Sequence, residues 1–224
     1  MEYKISPIGH IKTPFTQKFG IPRQGLGLSI ATGRIVFDQS IRPHEACEGL
    51  SEFSHLWLLF LFSEHLDHLP KQRIRPPRLG GNTKLGVFAS RSSFRPNNIG
   101  MTLVKNLGMH GEVLEVEGVD MLNNTPIVDI KPYIVYADSM PTADSSYATA
   151  APESPLEVFI PPQLVSAAKE KNLPINLIIQ VLSQDPRPAY KKTKNDPKFY
   201  TIQLYNIDIH WRVDGSTVVV CDIN

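Results

Sequence analysis

Short apolar segments alternate with Pro and Gly punctuation from the N-terminus to about Tyr136, a pattern of strands and turns. The predicted strands are KISPIGHI, GRIVFD, HLWLLFLF, KLGVFASR, TLVKNLGMH, EVLEVEGVD and PIVDIKPYIVY. HLWLLFLF is the most apolar of them. Its run from Leu56 to Phe62 falls far short of the roughly 20 residues that cross a bilayer and predicts a fully buried strand. Strands this short and this closely spaced predict a compact antiparallel barrel or sandwich. One helix is expected at Pro43 to Leu50, with Pro and Glu near its start and Gly49 near its end.

The pattern changes after Tyr136. ADSMPTADSSYATAAPESP, Ala137 to Pro155, is poor in large aliphatics and reads as a linker or a wrapping loop. PPQLVSAAKEKNLPINLIIQVLSQD then predicts two short helices, because Pro161 and Pro162 can start the first and Pro174 cannot sit inside a continuous one. FYTIQLYNIDIHWRV alternates, and Asp214-Gly215 signals a hairpin into STVVVC. The fold expected is therefore mainly β: an antiparallel β-barrel domain over residues 1–136, a connection over 137–155, and a smaller α+β domain over 156–224.

Composition narrows the class. The 224 residues are 42% hydrophobic and 20% charged, ordinary for a globular protein. Cys47 and Cys221 lie far apart without metal-ligand spacing, which fits a reducing compartment, and MEYKISPIGH has no apolar targeting core; a cytoplasmic protein without a bound metal or a membrane segment is expected. GLGLS at Gly25 to Ser29 lacks the third glycine of a dinucleotide fingerprint, and GNTK at Gly81 to Lys84 is not a phosphate loop of the Walker type.

Charge changes the picture most. From His68 to Gly111 there are eight Lys or Arg and no acid, which leaves 15 basic residues against all 22 acids elsewhere. Positive charge segregated in this way suits a polyanion or an anionic ligand. Pro76 and Pro77 stiffen the segment that presents Arg75 and Arg78, and a stiff segment lowers the entropy cost of a phosphate fork. SRSSFRPNNIG adds Arg91, Arg95 and Asn97, whose guanidiniums and amide can meet phosphate, purine edge or cofactor. Asp129, Lys131 and Tyr133 share one face of an extended strand, an arrangement able to move a proton and stack a ring. DPRPAYKK places Asp185, Arg187 and Tyr190 on a proline-stiffened loop, where Tyr beside Lys can stack a base and hold a phosphate. His55 reads as a satisfied core or edge residue rather than a ligand, and His65 and His68 lack the donor spacing of a metal site.

Taken in order, SPIGHIKTPF, GIPRQ, LSEFSHLWLLFLF, RPPRLGGN, GVFASRSSFRPNNIG, TPIVDIKPY with YADS, and DPRPAY resemble the TrmO family, also called TsaA-like, of S-adenosylmethionine-dependent tRNA methyltransferases. The resemblance implies a β-barrel catalytic domain, a smaller C-terminal domain, a homodimer, and methylation of N6 of threonylcarbamoyl-adenosine directly 3′ of the anticodon, in threonine tRNAs above all. It implies cofactor contacts at Arg23, Gln24, Ser63, Glu64, Arg91 and Asp120. On that reading Arg73, Arg75, Arg78, Arg95, Asn97, Asp185, Arg187 and Tyr190 meet tRNA, and Asp129, Lys131 and Tyr133 serve catalysis. Ser63 replaces the usual His, Asn98 a usual Pro, and Asn123-Asn124 a usual Asp-Gly. Two other readings stay open: an RNA-binding module without chemistry, and an enzyme using the same cofactor on a small anionic metabolite.

Overall fold

In the computed structural model of the chain, which describes residues 3–150, 156–192 and 198–224, alternation decides which side chains enter the core. The strands are β1 (Gly9–Lys12), β2 (Thr32–Phe37), β3 (His55–Leu61), β4 (Arg73–Ile74), β5 (Leu85–Gly86), β6 (Ile99–His110), β7 (Val113–Glu117), β8 (Thr125–Pro132), β9 (Glu157–Phe159), β10 (Tyr200–Leu204), β11 (Ile207–Asp214) and β12 (Thr217–Ile223). The helices are α1 (Pro43–Ala46), α2 (Val135–Asp138), α3 (Pro162–Glu170), α4 (Ile175–Ser183) and α5 (Ala189–Lys192).

Six strands close a barrel in the order β1, β2, β7, β6, β3, β8. Ile11, Ile35, Leu56, Leu58, Val104, Leu114, Val116 and Ile127 fill it without solvent exposure. Gly100 of β6 lies opposite Phe60 of β3, and a Cβ there would stand 2.4 Å from the phenyl ring, so the interior has no room for a larger residue at that level. β6 bends at a bulge between Asn106 and Gly108, where the Asn106 amide donates to the Leu50 and Phe53 carbonyls and its oxygen accepts from Gly108 N–H.

In a second sheet, ordered β10, β11, β12, β9, only the β9–β12 pairing is parallel. Leu177, Ile178, Val181 and Leu182 of α4, and Ile202, Leu204, Ile209, Trp211, Val218 and Val220 of this sheet, are buried. Compactness divides the chain differently from its linear order, because residues 13–32 and 118–123 cluster with residues 152–224. Phe15 bridges Leu204, Tyr205 N–H donates to Pro14 O at 2.9 Å, and the Thr16 hydroxyl donates to Gln203 Oε1 at 2.6 Å. A stretch written into the first sixth of the sequence thus completes the core of the last third.

Several expected elements come out differently. β3 is half-buried rather than fully buried: Leu56, Leu58 and Phe60 point inward, while Trp57, Leu59 and Leu61 line the outside, since a single barrel wall has one inner face. KLGVFASR yields only the two-residue β5 before a 3-10 turn at Val87–Ala89, closed by the Ser90 hydroxyl on Val87 O at 2.8 Å. The helix at Pro43 stops at Ala46, and a separate 3-10 turn covers Leu50–Glu52. PIVDIKPYIVY extends only to Pro132; Asp138 then accepts from Ile134 N–H at 2.8 Å and starts α2. FYTIQLYNIDIHWRV is two strands, turned at Tyr205 and Asn206, which hold φ of 51° and 64°.

Candidate cofactor and RNA site

The barrel unit brings together the end of β3 and the SRSSFRPNN loop. β3 runs into a 3-10 turn at Ser63–His65 that carries Ser63 and Glu64. Phe62 N–H donates to Asn98 O at 2.8 Å, and the Asn98 amide donates to His65 O at 3.3 Å and Ser93 O at 3.2 Å. Asn98 holds φ of 51°, a conformation open to asparagine and closed to proline. Phe94 packs edge-on against His65 and His68, at ring distances of 4.7 and 5.8 Å, and Lys71 Nζ lies 4.1 Å from its centroid. Arg95 turns inward onto the loop, donating to Ser90 O at 3.1 Å and Ser92 O at 3.4 Å, whereas Arg91 and Asn97 are exposed. Sequence pattern gave no sign that Asn98, Phe94 and His65 fasten this loop.

The second unit gathers Arg23, Gln24 and Asp120. Gln24 adopts φ of 62°, and Gly25 follows so tightly packed that a Cβ would stand 2.4 Å from the Gly118 carbonyl oxygen and 2.8 Å from that of Val119. Gly118 and Val119 donate to Ala31 O, at 2.9 and 3.2 Å. The PRQG turn and the strand-to-loop segment ending at Asp120 are therefore in backbone contact. The residues that follow the turn are held by α4 and its C-cap, with Gln180 Oε1 accepting from Ile30 N–H at 2.8 Å and Gln184 donating to Leu28 O at 3.3 Å.

Past α4, Asp185 and Arg187 form a two-pronged pair at 2.8 and 2.9 Å and are 4% and 5% exposed. Each is turned toward the other, so a phosphate contact from Arg187 requires the pair to open. Lys192 stands in the same field. Burial lowers the pKa of its ammonium from the ordinary lysine value, Asp185 pulls it up, and the like charges of Arg23 and Arg187 push it down again. Lys192 thus senses both Arg23 and Arg187, a relation invisible in sequence. The Tyr190 side chain lies outside the described residues.

Asp129, Lys131 and Tyr133 do share one face, the exterior of the barrel. Lys131 Nζ stands 2.8 Å from Asp129 Oδ2, and the Tyr133 ring lies 6.0 Å from Trp57 and 6.4 Å from His55. Leu59 and Trp57 pair with Asp129 and Lys131 on one side and with Met101 and Leu103 on the other, so acid, base and phenol border an apolar wall. The arginines of the acid-free stretch stand on short turns. Arg73 lies on β4 opposite Gly86 and donates to Lys84 O at 3.4 Å, Arg75 is exposed, and Arg78 donates to Ala150 O.

Comparison with known proteins identifies the family. The tRNA-methyltransferase O N-terminal domain matches residues 10–139, and the TrmO C-terminal domain matches residues 153–224. The tRNA (adenine(37)-N6)-methyltransferase of Escherichia coli K12 is 40% identical over 222 residues, 96% of this chain and 94% of that one. A protein of Pseudomonas aeruginosa, provisionally named the S-adenosylmethionine-dependent methyltransferase RcsF, is 42% identical over 216 residues, 94% of this chain and 93% of its own. Among solved structures, TrmO from Pseudomonas aeruginosa superposes with a TM-score of 0.82 at 35% identity, covering 100% of this chain and 97% of that one. The chain belongs to the tRNA-methyltransferase O family.

Proposed function

We propose that this protein transfers a methyl group from S-adenosylmethionine to N6 of the threonylcarbamoyl-adenosine that follows the anticodon, in threonine tRNAs above all. The observation that carries this reading is the full-length likeness to the Escherichia coli tRNA (adenine(37)-N6)-methyltransferase. Each unit offers donor types that suit this cofactor: the barrel unit has the Arg91 guanidinium and the Glu64 carboxylate, and the second unit has the Arg23 guanidinium, the Asp120 carboxylate and the left-handed Gln24 with Gly25, where backbone can approach closely. Bound there, the cofactor supplies an electrophilic methyl on a sulfonium.

The chain's own task is alignment and proton removal, because in-line displacement gains most from orientation. N6 is a weak nucleophile with a delocalised lone pair. Its bond to the methyl carbon forms as the carbon–sulfur bond breaks, and its proton must leave. Lys131 takes the carboxylate of the threonylcarbamoyl group in exchange for Asp129, which its ammonium holds at 2.8 Å in the free protein. Asp129, so released, accepts the N6 proton, and Tyr133 positions the ring. Arg73, Arg75 and Arg78 meet phosphates.

The protein works as a cytoplasmic homodimer. Trp57, Leu59, Leu103 and Met101, the last 46% exposed, form an apolar outer wall that a second copy would cover. Among the described residues no helix is long and apolar enough to cross a membrane, and no His, Cys, Asp and Glu cluster could hold a metal ion.

Labelled cofactor incubated with tRNA lacking this methyl group tests the activity, with the labelled nucleoside identified by mass spectrometry. Label on N6 of the adenosine beside the anticodon is expected, with Asp129→Asn and Lys131→Ala each lowering kcat/KM by about 10²–10⁴. Unlabelled tRNA despite tight RNA binding would favour a module without chemistry, and wild-type kcat/KM in both variants would remove these residues from catalysis. Sedimentation should return twice the 25.1 kDa chain mass.

A further inference from the structure

Phe88 is turned out of the 3-10 turn Val87–Ala89 and is 75% exposed, while its neighbour Val87 is 2% exposed. The backbone that presents it is braced on both sides. Val87 N–H donates to Gln72 O at 3.0 Å, Ser90 closes on Val87 O, and the Tyr147 hydroxyl donates to Ala89 O at 3.3 Å. Among the described residues no other ring stacks on Phe88. Leaving a phenyl ring in water gains nothing for the fold, and holding it on a fixed turn prepares it for contact with a partner.

The setting names the partner's chemistry. Two residues before Phe88, Gly86 pairs with Arg73, whose guanidinium donates to the Lys84 carbonyl. Arg78 is tied to Ala150, close in sequence to the Tyr147 that braces the Phe88 turn. No acid occurs between His68 and Gly111. A second copy brought two-fold onto this patch would set these cations against themselves. A single-stranded nucleic acid supplies both what the cations lack and a flat face for the ring, since every base has one.

We infer that Phe88 is a stacking platform for an unpaired base of the substrate RNA other than the methylated adenine, with Arg73 and Arg78 on the flanking phosphates. This rests on the tRNA reading above, and it adds a non-electrostatic contact that the arginines cannot provide. Stacking contributes equally at all salt concentrations, whereas each phosphate contact steepens the salt dependence.

The test measures tRNA affinity by fluorescence anisotropy across a salt series. Phe88→Ala is expected to weaken binding about 5- to 100-fold at every salt concentration without changing the slope of log K against log salt. Phe88→Trp should stay within about twofold of wild type because it keeps an aromatic face. Arg73→Ala should instead reduce the slope by about one. Cofactor affinity and sedimented mass should be unchanged in Phe88→Ala, whose exposed ring contributes little to the core. Wild-type affinity in Phe88→Ala, or in a Phe88→Leu protein that keeps bulk without a π face, would overturn the inference. Lost cofactor binding would assign the ring to the cofactor, and a halved mass would assign it to a subunit interface; either overturns it too. A wild-type protein without affinity for tRNA would overturn the functional reading along with this one.

Discussion

Gly25→Ala is expected to lower kcat/KM for tRNA methylation about a hundredfold, with cofactor binding by calorimetry weakened in step. The added methyl would stand 2.4 and 2.8 Å from two backbone oxygens, of Gly118 and Val119, and neither can rotate away as a side chain would. The turn must therefore move, carrying Gln24 and Arg23 with it. Displacement of about 1 Å is enough for a loss of this size when the moved groups align a donor. Gly27 supplies the control, since it holds φ of 77° and nothing lies within 4 Å of its missing Cβ. Gly27→Ala meets only the left-handed penalty of about 1–2 kcal/mol. Equal cofactor affinity in wild type and Gly25→Ala would show that the PRQG turn does not hold the cofactor.

Asp185→Ala should cost about 3–5 kcal/mol in urea unfolding. It removes the carboxylate that receives both prongs of a guanidinium 5% exposed. Asp185→Asn should cost less, because it keeps a carbonyl acceptor and tolerates the φ of 48° that Asp185 adopts. Deleting the exposed Arg42–Glu45 pair, by contrast, should change stability by less than about 0.5 kcal/mol. If Asp185→Ala unfolded at the wild-type midpoint while tRNA affinity fell, the pair would belong to RNA binding and not to the fold.

Much of the barrel was legible because period-two burial repeats within each strand, as in Leu56, Leu58 and Phe60. What misled was the outside of β3, where Trp57 and Leu59 are as apolar as the inside. Apolar residues on both faces erase the alternation that a single buried face would write. Asp214-Gly215 announced its turn through glycine, whereas Tyr205-Asn206 reached left-handed backbone without one and went unseen. The membership of residues 13–32 depends on Phe15 meeting Leu204, a contact across most of the chain that no local window can sense. The candidate site was legible as residue types and not as groupings. Charge marked Arg187 and Lys192, yet whether a cation faces solvent, a carboxylate or another cation is fixed only when the loops meet.

β8 pairs with both β1 and β3, and so it is the last stave of the barrel to be made. A ribosome that has released the first 124 residues has produced five strands whose two outer ladders, on β1 and β3, are still waiting for a neighbour. Those bare ladders are the sticky interval of this protein's synthesis. Holding the nascent chain with residues 1–124 outside the ribosome should therefore lower the yield of soluble protein more than a hold of equal length once Pro132 has emerged.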